Sequence, residues 1–196
     1  QATARALVRH SPCHPDQFAC SSDVTKYDYN PDKAKKLLAE AGHPNGFEFD
    51  LHAYRERHIT EAVIGDLVRV GLKPRLVYLQ YGPLVQAVHK GQVAVANMTW
   101  GSSSIPDISA STGHFFTGSP DDLSQDKEVI DLINQANGTI DPDKRKGILH
   151  TALKKIADEA YWVPMFSYAK FYAYSNALDF KATSDEIPQF YKAKWK

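Results

Sequence analysis

YDYNPDKAKKLLAEAGHPNGFEFDLHAY, residues Tyr27 to Tyr54, reads as one helix, one tight turn and one strand. Asn30 suits the N-cap, Pro31 the first helical position, and Asp32 sets negative charge where the helix dipole favours it. Ala34, Leu37, Leu38 and Ala41 recur at the spacing of one buried helical face, with Lys33, Lys35, Lys36 and Glu40 left in water. Gly42 stops the helix by adopting positive φ. Asn45-Gly46 makes the turn, after which Phe47, Phe49, Leu51 and Ala53 alternate with Glu48, Asp50, His52 and Tyr54. The helix delivers the chain into a sheet.

Downstream the pattern repeats. Ile59, Ala62, Val63, Leu67 and Val70 predict a helix over Arg57–Val70, ended by Gly71. Leu72–Gln80 reads as a strand with Pro74 at its entrance or at an edge, and Pro83–Lys90 as a short helix burying Leu84, Val85 and Val88. Val93–Trp100 (VAVANMTW) is nearly all apolar, as suits a strand covered on both faces. Strand, helix, strand, helix, strand implies a largely parallel α/β sheet, whose ligands lie beyond the strands' carboxyl ends. Trp100 stands at such an end.

The next segment, Gly101–Ser124, is polar, rich in Gly, Ser and Pro, and reads as a long functional loop. Two helices follow: Asp126–Ala136, then one that Asp141, Pro142 and Asp143 begin, with Leu149, Ala152, Leu153, Ile156 and Ala160 on its apolar side. Trp162–Ser175 reads as an aromatic strand and Ala177–Lys196 as an irregular tail.

The 196 residues carry 23 basic and 23 acidic side chains, a balance that gives no field favouring nucleic acid or an anionic membrane. No apolar run approaches the roughly 20 residues that span a bilayer. Cys13 and Cys20 sit in a loop-forming segment, SPCHPDQFACSSD, as a disulfide, two free thiols, or part of a zinc site with His10 or His14; the disulfide is the reading adopted. It suits an oxidising compartment and stabilises by about 2–3 kcal/mol. Nucleophile-elbow, P-loop, dinucleotide and zinc-protease motifs are all missing. The eight histidines are scattered, and Asp121 and Asp122 read as solvated charges before a helix.

The run YDYNPDKAKKLLAEAGHPNGFEF resembles the segment Y-D-x-x-K-A-K-x-L-L-x-E-A-G-x-x-x-G-F of extracytoplasmic solute-binding proteins of ABC importers, in the branch of dipeptide, oligopeptide and nickel binders. The resemblance extends to Trp195 but matches only the C-terminal portion of such proteins. It implies an α/β, periplasmic-binding-protein-like lobe with a largely parallel sheet flanked by helices. Residues 1–26 are then an irregular lead-in, 27–176 the second lobe, and 177–196 a tail returning towards a missing N-terminal lobe. It also implies a periplasmic, non-enzymatic binder without cofactor or metal, whose partners are a small or peptide-like solute and a membrane permease.

The candidate ligand site is Trp100, Gly101, Ser102, Ser103 and Ser104, with Asp107: an indole for stacking beside hydroxyls for hydrogen bonds. Peptide binders of the family follow this tryptophan with a motif resembling W-x-A-D-Y, whose aspartate pairs with the peptide ammonium. Ser103 stands where that carboxylate would be, which favours a neutral or anionic solute. Two rivals remain: a hydrolase using a serine of 102–104 with His114 as base, and a chaperone-like domain recognising extended peptides through sheet edges and aromatic patches.

Overall fold

The structure, a computed structural model, describes residues 7–102, 104–169, 171–183 and 187–196. In chain order its elements are β1 (Leu7–Val8), α1 (Pro31–Glu40), β2 (Glu48–Ala53), α2 (Arg57–Arg69), β3 (Lys73–Tyr78), α3 (Tyr81–His89) and β4 (Val95–Asn97). Then come α4 (Ser109–Phe115), α5 (Lys127–Asn137), α6 (Pro142–Asp158), β5 (Phe166–Ser167), β6 (Leu178–Asp179) and β7 (Lys194–Trp195). The chain divides into two compact units, Tyr27–Thr99 and the combination of Gln1–Lys26 with Trp100–Lys196. The span 27–176, expected as one lobe, is thus divided after Thr99, and the lead-in is grouped with the C-terminal half.

In the unit Tyr27–Thr99, Asn30 Oδ1 accepts the Lys33 N–H at 2.9 Å, and Gly42 ends α1 at φ 84°. Gly46, at φ 67°, is required for space as well. A Cβ there would lie 1.9 Å from the Gly71 carbonyl oxygen, where the turn entering β2 passes the turn entering β3. The sheet order is β3-β2-β4 and both pairings are parallel, with Glu48 opposite Lys73 and Leu51 opposite both Leu76 and Val95.

Helices cover both faces of this sheet. Asn97 Nδ2 donates to Thr60 Oγ1 of α2 at 2.8 Å on the Ala53 side. On the other face Leu84 and Val88 of α3 pack with Val93 against Ala96, the residue opposite His52. Central β2 therefore buries His52 as well as Leu51 and Ala53, so the expected polar-out alternation ends at residue 52. Thr60 is fully buried while Ala62 is exposed, which rotates the expected buried face of α2. β4 is three residues long with Val95 exposed, as befits an edge; the strand expected over Val93–Trp100 is not covered on both faces. None of the residues of α1 is buried, and Leu37, expected on its buried face, is half exposed.

The other unit is built on α5, which Asp126 caps from just outside the helix, and α6, which Asp141 caps at the start read from sequence. Val129, Ile133 and Ala136 pack with Leu149, Leu153 and Ile156 in one core. Ile108, Phe115 and Phe116 complete it, each such burial worth about 1.5–3 kcal/mol. Those three belong to the segment expected as a loop, which instead contains α4. Its polar sequence tolerates burial because Ser111 and Thr112 turn their hydroxyls back to the Ile108 carbonyl, both at 3.1 Å.

Asp122 is another correction. It is buried and gathers the backbone N–H groups of Gly118, Ser124 and Gln125, each at 3.0 Å, so it shapes a turn rather than sitting in water. The strand expected over Trp162–Ser175 shrinks to β5, paired antiparallel with β1. β6 pairs with β7 in the tail. The lead-in carries β1 and the core residues Ala19 and Val24, so it is packed rather than merely irregular.

Candidate solute-binding site

Trp100 opens the second stretch of the larger unit, three residues past the end of β4. Its indole Nε1 donates to the Ala110 carbonyl at 2.7 Å. One ring face stacks on His114, with centroids 4.5 Å apart and planes 17° from parallel, and Phe115 meets it edge-on at 4.8 Å. Phe115 in turn packs on Trp162. The side chain is fixed on three sides by α4 and still 43% exposed. Because the N–H is already used, what it offers a ligand is a flat apolar surface.

The turn beyond it is closed by the Ile105 N–H donating to the Ser102 carbonyl at 3.0 Å. Ser104 sits at φ 66°, a left-handed conformation that costs a non-glycine residue about 1 kcal/mol or more. Gly101 and Ser102 are half-buried and Ser104 is exposed; Ser103 lies outside the described residues. Asp107 is not free for a ligand. Arg145 Nη1 and Nη2 grip its carboxylate at 2.6 and 3.0 Å, and Oδ1 also accepts the Ser109 N–H at 2.8 Å. Burial works against its charge, but Arg145 and Ser109 outweigh that and hold the carboxyl below its usual pKa. Its work is to pin the start of α4 to α6.

The element that sequence reasoning missed here is the loop closed by the Cys13–Cys20 disulfide, which is formed. It docks along residues 105–111. The Phe18 N–H donates to Pro106 O at 2.8 Å, and the Ile108 N–H to Phe18 O at 3.2 Å. Gln17 Nε2 donates to Asp107 O at 3.1 Å, Gln17 Oε1 accepts the His14 N–H at 2.8 Å, and Ser111 Oγ donates to Pro12 O at 2.9 Å. Between loop and turn lies a cavity of about 80 Å³ lined by His14, Asp16, Gln17, Ser102, Ser104 and Pro106 among others. A larger hollow of about 810 Å³ lies in the other unit, over Glu48, Asp50, Lys73 and Arg75, and includes none of the predicted residues. Since Arg75 and Asp50 neutralise each other there in a fork with both bonds at 2.7 Å, it reads as a solvated sheet surface.

Among the described residues no helix is long and apolar enough to cross a membrane, and no group of three or more His, Cys, Asp or Glu side chains is placed to hold a metal ion.

Comparison with known proteins places this geometry in a family. Heme-binding protein A of Haemophilus influenzae is 26% identical over 167 residues, covering 79% of this chain and 30% of that protein. The dipeptide-binding protein of Escherichia coli is 29% identical over 159 residues, covering 74% of this chain and 30% of its own length. The chain thus spans about a third of the length of these curated relatives. The crystal structure of a dipeptide-binding protein from a Pseudoalteromonas species, in complex with Met-Leu, superposes with a TM-score of 0.75 at 22% identity, over 97% of this chain and 40% of that one. The family model described as the middle part of bacterial extracellular solute-binding proteins, family 5, matches residues 4–122, more than half of the sequence. The chain belongs to the family 5 bacterial extracellular solute-binding proteins.

Proposed function

We propose that this chain is part of the substrate-binding component of an ABC importer, working in the periplasm. There it closes with a further lobe on a small peptide-like solute and presents it to a membrane permease. The observation that carries the reading is Trp100. An indole braced by Ala110, His114 and Phe115 yet 43% exposed is a preorganised stacking surface. The relatives named for heme and dipeptide support a solute held without chemical change. Phe190, Tyr191 and Trp195, each at least two-thirds exposed in the tail, fit a surface that another lobe covers. The hydrolytic alternative finds His114 stacked on Trp100, with Nε2 directed to Asp121 at 3.4 Å, an arrangement that orients an aromatic ring rather than a serine hydroxyl.

Calorimetric titration of one solute panel (peptides, opine-like conjugates, sugars, metal chelates) into this chain and into the complete gene product tests the reading. We expect binding by the complete protein at least tenfold tighter than by the chain alone, because one lobe retains only part of the contacts while association entropy is undiminished. Equal affinities would refute the two-lobed account.

A further inference from the structure

We propose that His114 is a pH-responsive positioning residue for Trp100: its imidazole braces the indole from behind, and its protonation cancels a negative field at the face that Trp100 offers to a solute. This rests on the solute-binding reading above and adds control by pH to that same site.

Both rings are held in place. Trp100 cannot turn away, because its Nε1 donates to the Ala110 carbonyl at 2.7 Å and Phe115 meets it edge-on. His114 lies in the last turn of α4. Phe115 meets its imidazole edge-on as well, with centroids 4.5 Å apart, and Ser119 Oγ donates to the His114 carbonyl at 3.0 Å. The outcome is a face-to-face contact, 4.5 Å between centroids and 17° between planes. The imidazole thus covers one face of an indole that remains 43% exposed.

The charged group that meets this ring is Asp121, on the turn that follows α4, with Oδ2 3.4 Å from His114 Nε2. Asp122 beside it is spent on the backbone N–H groups of Gly118, Ser124 and Gln125. Phe115, and Trp162 behind it, carry no charge. With a neutral imidazole the pair behind the indole holds one negative charge, that of Asp121. With an imidazolium the two charges cancel, and the cation faces the indole's π cloud. Histidine is the side chain that makes this change between about pH 5 and 8. A solute stacked on the free face lies about 8 Å from the imidazole, within the Debye length of about 10 Å at 0.1 M salt. Acidification therefore makes the free face less attractive to cations and less repellent to anions.

The first readout is the emission of Trp100 in this chain, taken as the difference between wild type and Trp100→Phe. We expect it to change sigmoidally between about pH 5 and 8. The ratio of caesium to iodide quenching should fall at least about twofold between about pH 7.5 and about pH 5.5 at constant ionic strength. Both changes should vanish in His114→Phe, which keeps a flat ring without the charge, and in His114→Gln; thermal melts check that the variants are folded. A folded wild type without the pH step, or the same step in either folded variant, overturns the proposal and leaves the solute-binding reading intact. The second readout is calorimetric, with the complete gene product and the solute panel above at the same two pH values. For a panel member that binds, the ratio of its two affinities should differ at least about threefold between wild type and His114→Phe, a comparison that cancels titration of the solute itself. Equal ratios overturn the control by pH alone. Failure of the folded wild type to bind any member of the panel at either pH overturns both.

Discussion

Removing the disulfide by a Cys13→Ser/Cys20→Ser double substitution should destabilise the larger unit without dissolving it. The bridge joins residues seven apart, and loop-closure entropy for so short a loop gives about 2.5 kcal/mol, acting on the unfolded chain. For a chain of this size that is a fall of about 5–10 °C in melting temperature. The native loop has other attachments: the Phe18 bridge to residues 106–108, the Gln17 clamp, and the Ser111 bond to Pro12. Its docked conformation should therefore survive, and the unfolding transition should keep its sharpness. All three tryptophans, Trp100, Trp162 and Trp195, lie in the larger unit, so their fluorescence follows its thermal and urea unfolding. A shift under about 1 °C would mean that loop closure contributes nothing. Loss of cooperative unfolding would mean that the loop is indispensable to the core.

Three further outcomes concern α5 and α6. Asp126 accepts from Tyr161 at 2.6 Å, and also caps α5 through Val129 and Glu128 and pairs with Lys155; against some burial, this holds its carboxyl at about 2. A depressed folded pKa contributes stability that is complete above about pH 4 and lost as pH falls through about 2, so Asp126→Asn should flatten the acid limb of a stability–pH curve. The same bond, with burial adding to it, pushes Tyr161 up to about 12. That contribution is complete below about pH 10 and lost as pH rises through about 12, and Tyr161→Phe should remove it along with about 1–2 kcal/mol at neutral pH. Ala160 follows α6 at φ 52°, where the Tyr161 N–H bonds Ile156 O at 3.1 Å, a helix stop that favours glycine. Ala160→Gly should raise stability by about 0.5–1 kcal/mol in urea unfolding; a loss would show that the methyl packs usefully there.

The parts of the fold legible in sequence were those fixed by local signals. Asn30, Pro31, Gly42 and Gly46 each act within a few residues, and they delimit α1 and the entry to β2 as read. Parallel pairing was legible because the order of elements constrains it. The hidden parts depend on partners far along the chain. Ser111 and Thr112 look like loop residues until their hydroxyls turn onto Ile108 and the helix they belong to packs under α5 and α6. Asp107 looks like a ligand group until Arg145, 38 residues on, takes its carboxylate. For Trp100 the sequence reading rested on its place after an apolar run, whereas the docking of Gln17 on the carbonyls of Ile105 and Asp107 was hidden, because nothing near Gln17 in sequence announces those residues as its neighbours.

The most direct test of the account is native mass spectrometry of the complete gene product, purified as exported, beside its Trp100→Ala variant. The account predicts a small-molecule adduct on the wild type that Trp100→Ala loses or retains at about a tenth of the occupancy, with the solute released unchanged on denaturation. A folded wild type carrying the same adduct at the same occupancy as Trp100→Ala, or releasing a cleaved product, would contradict it.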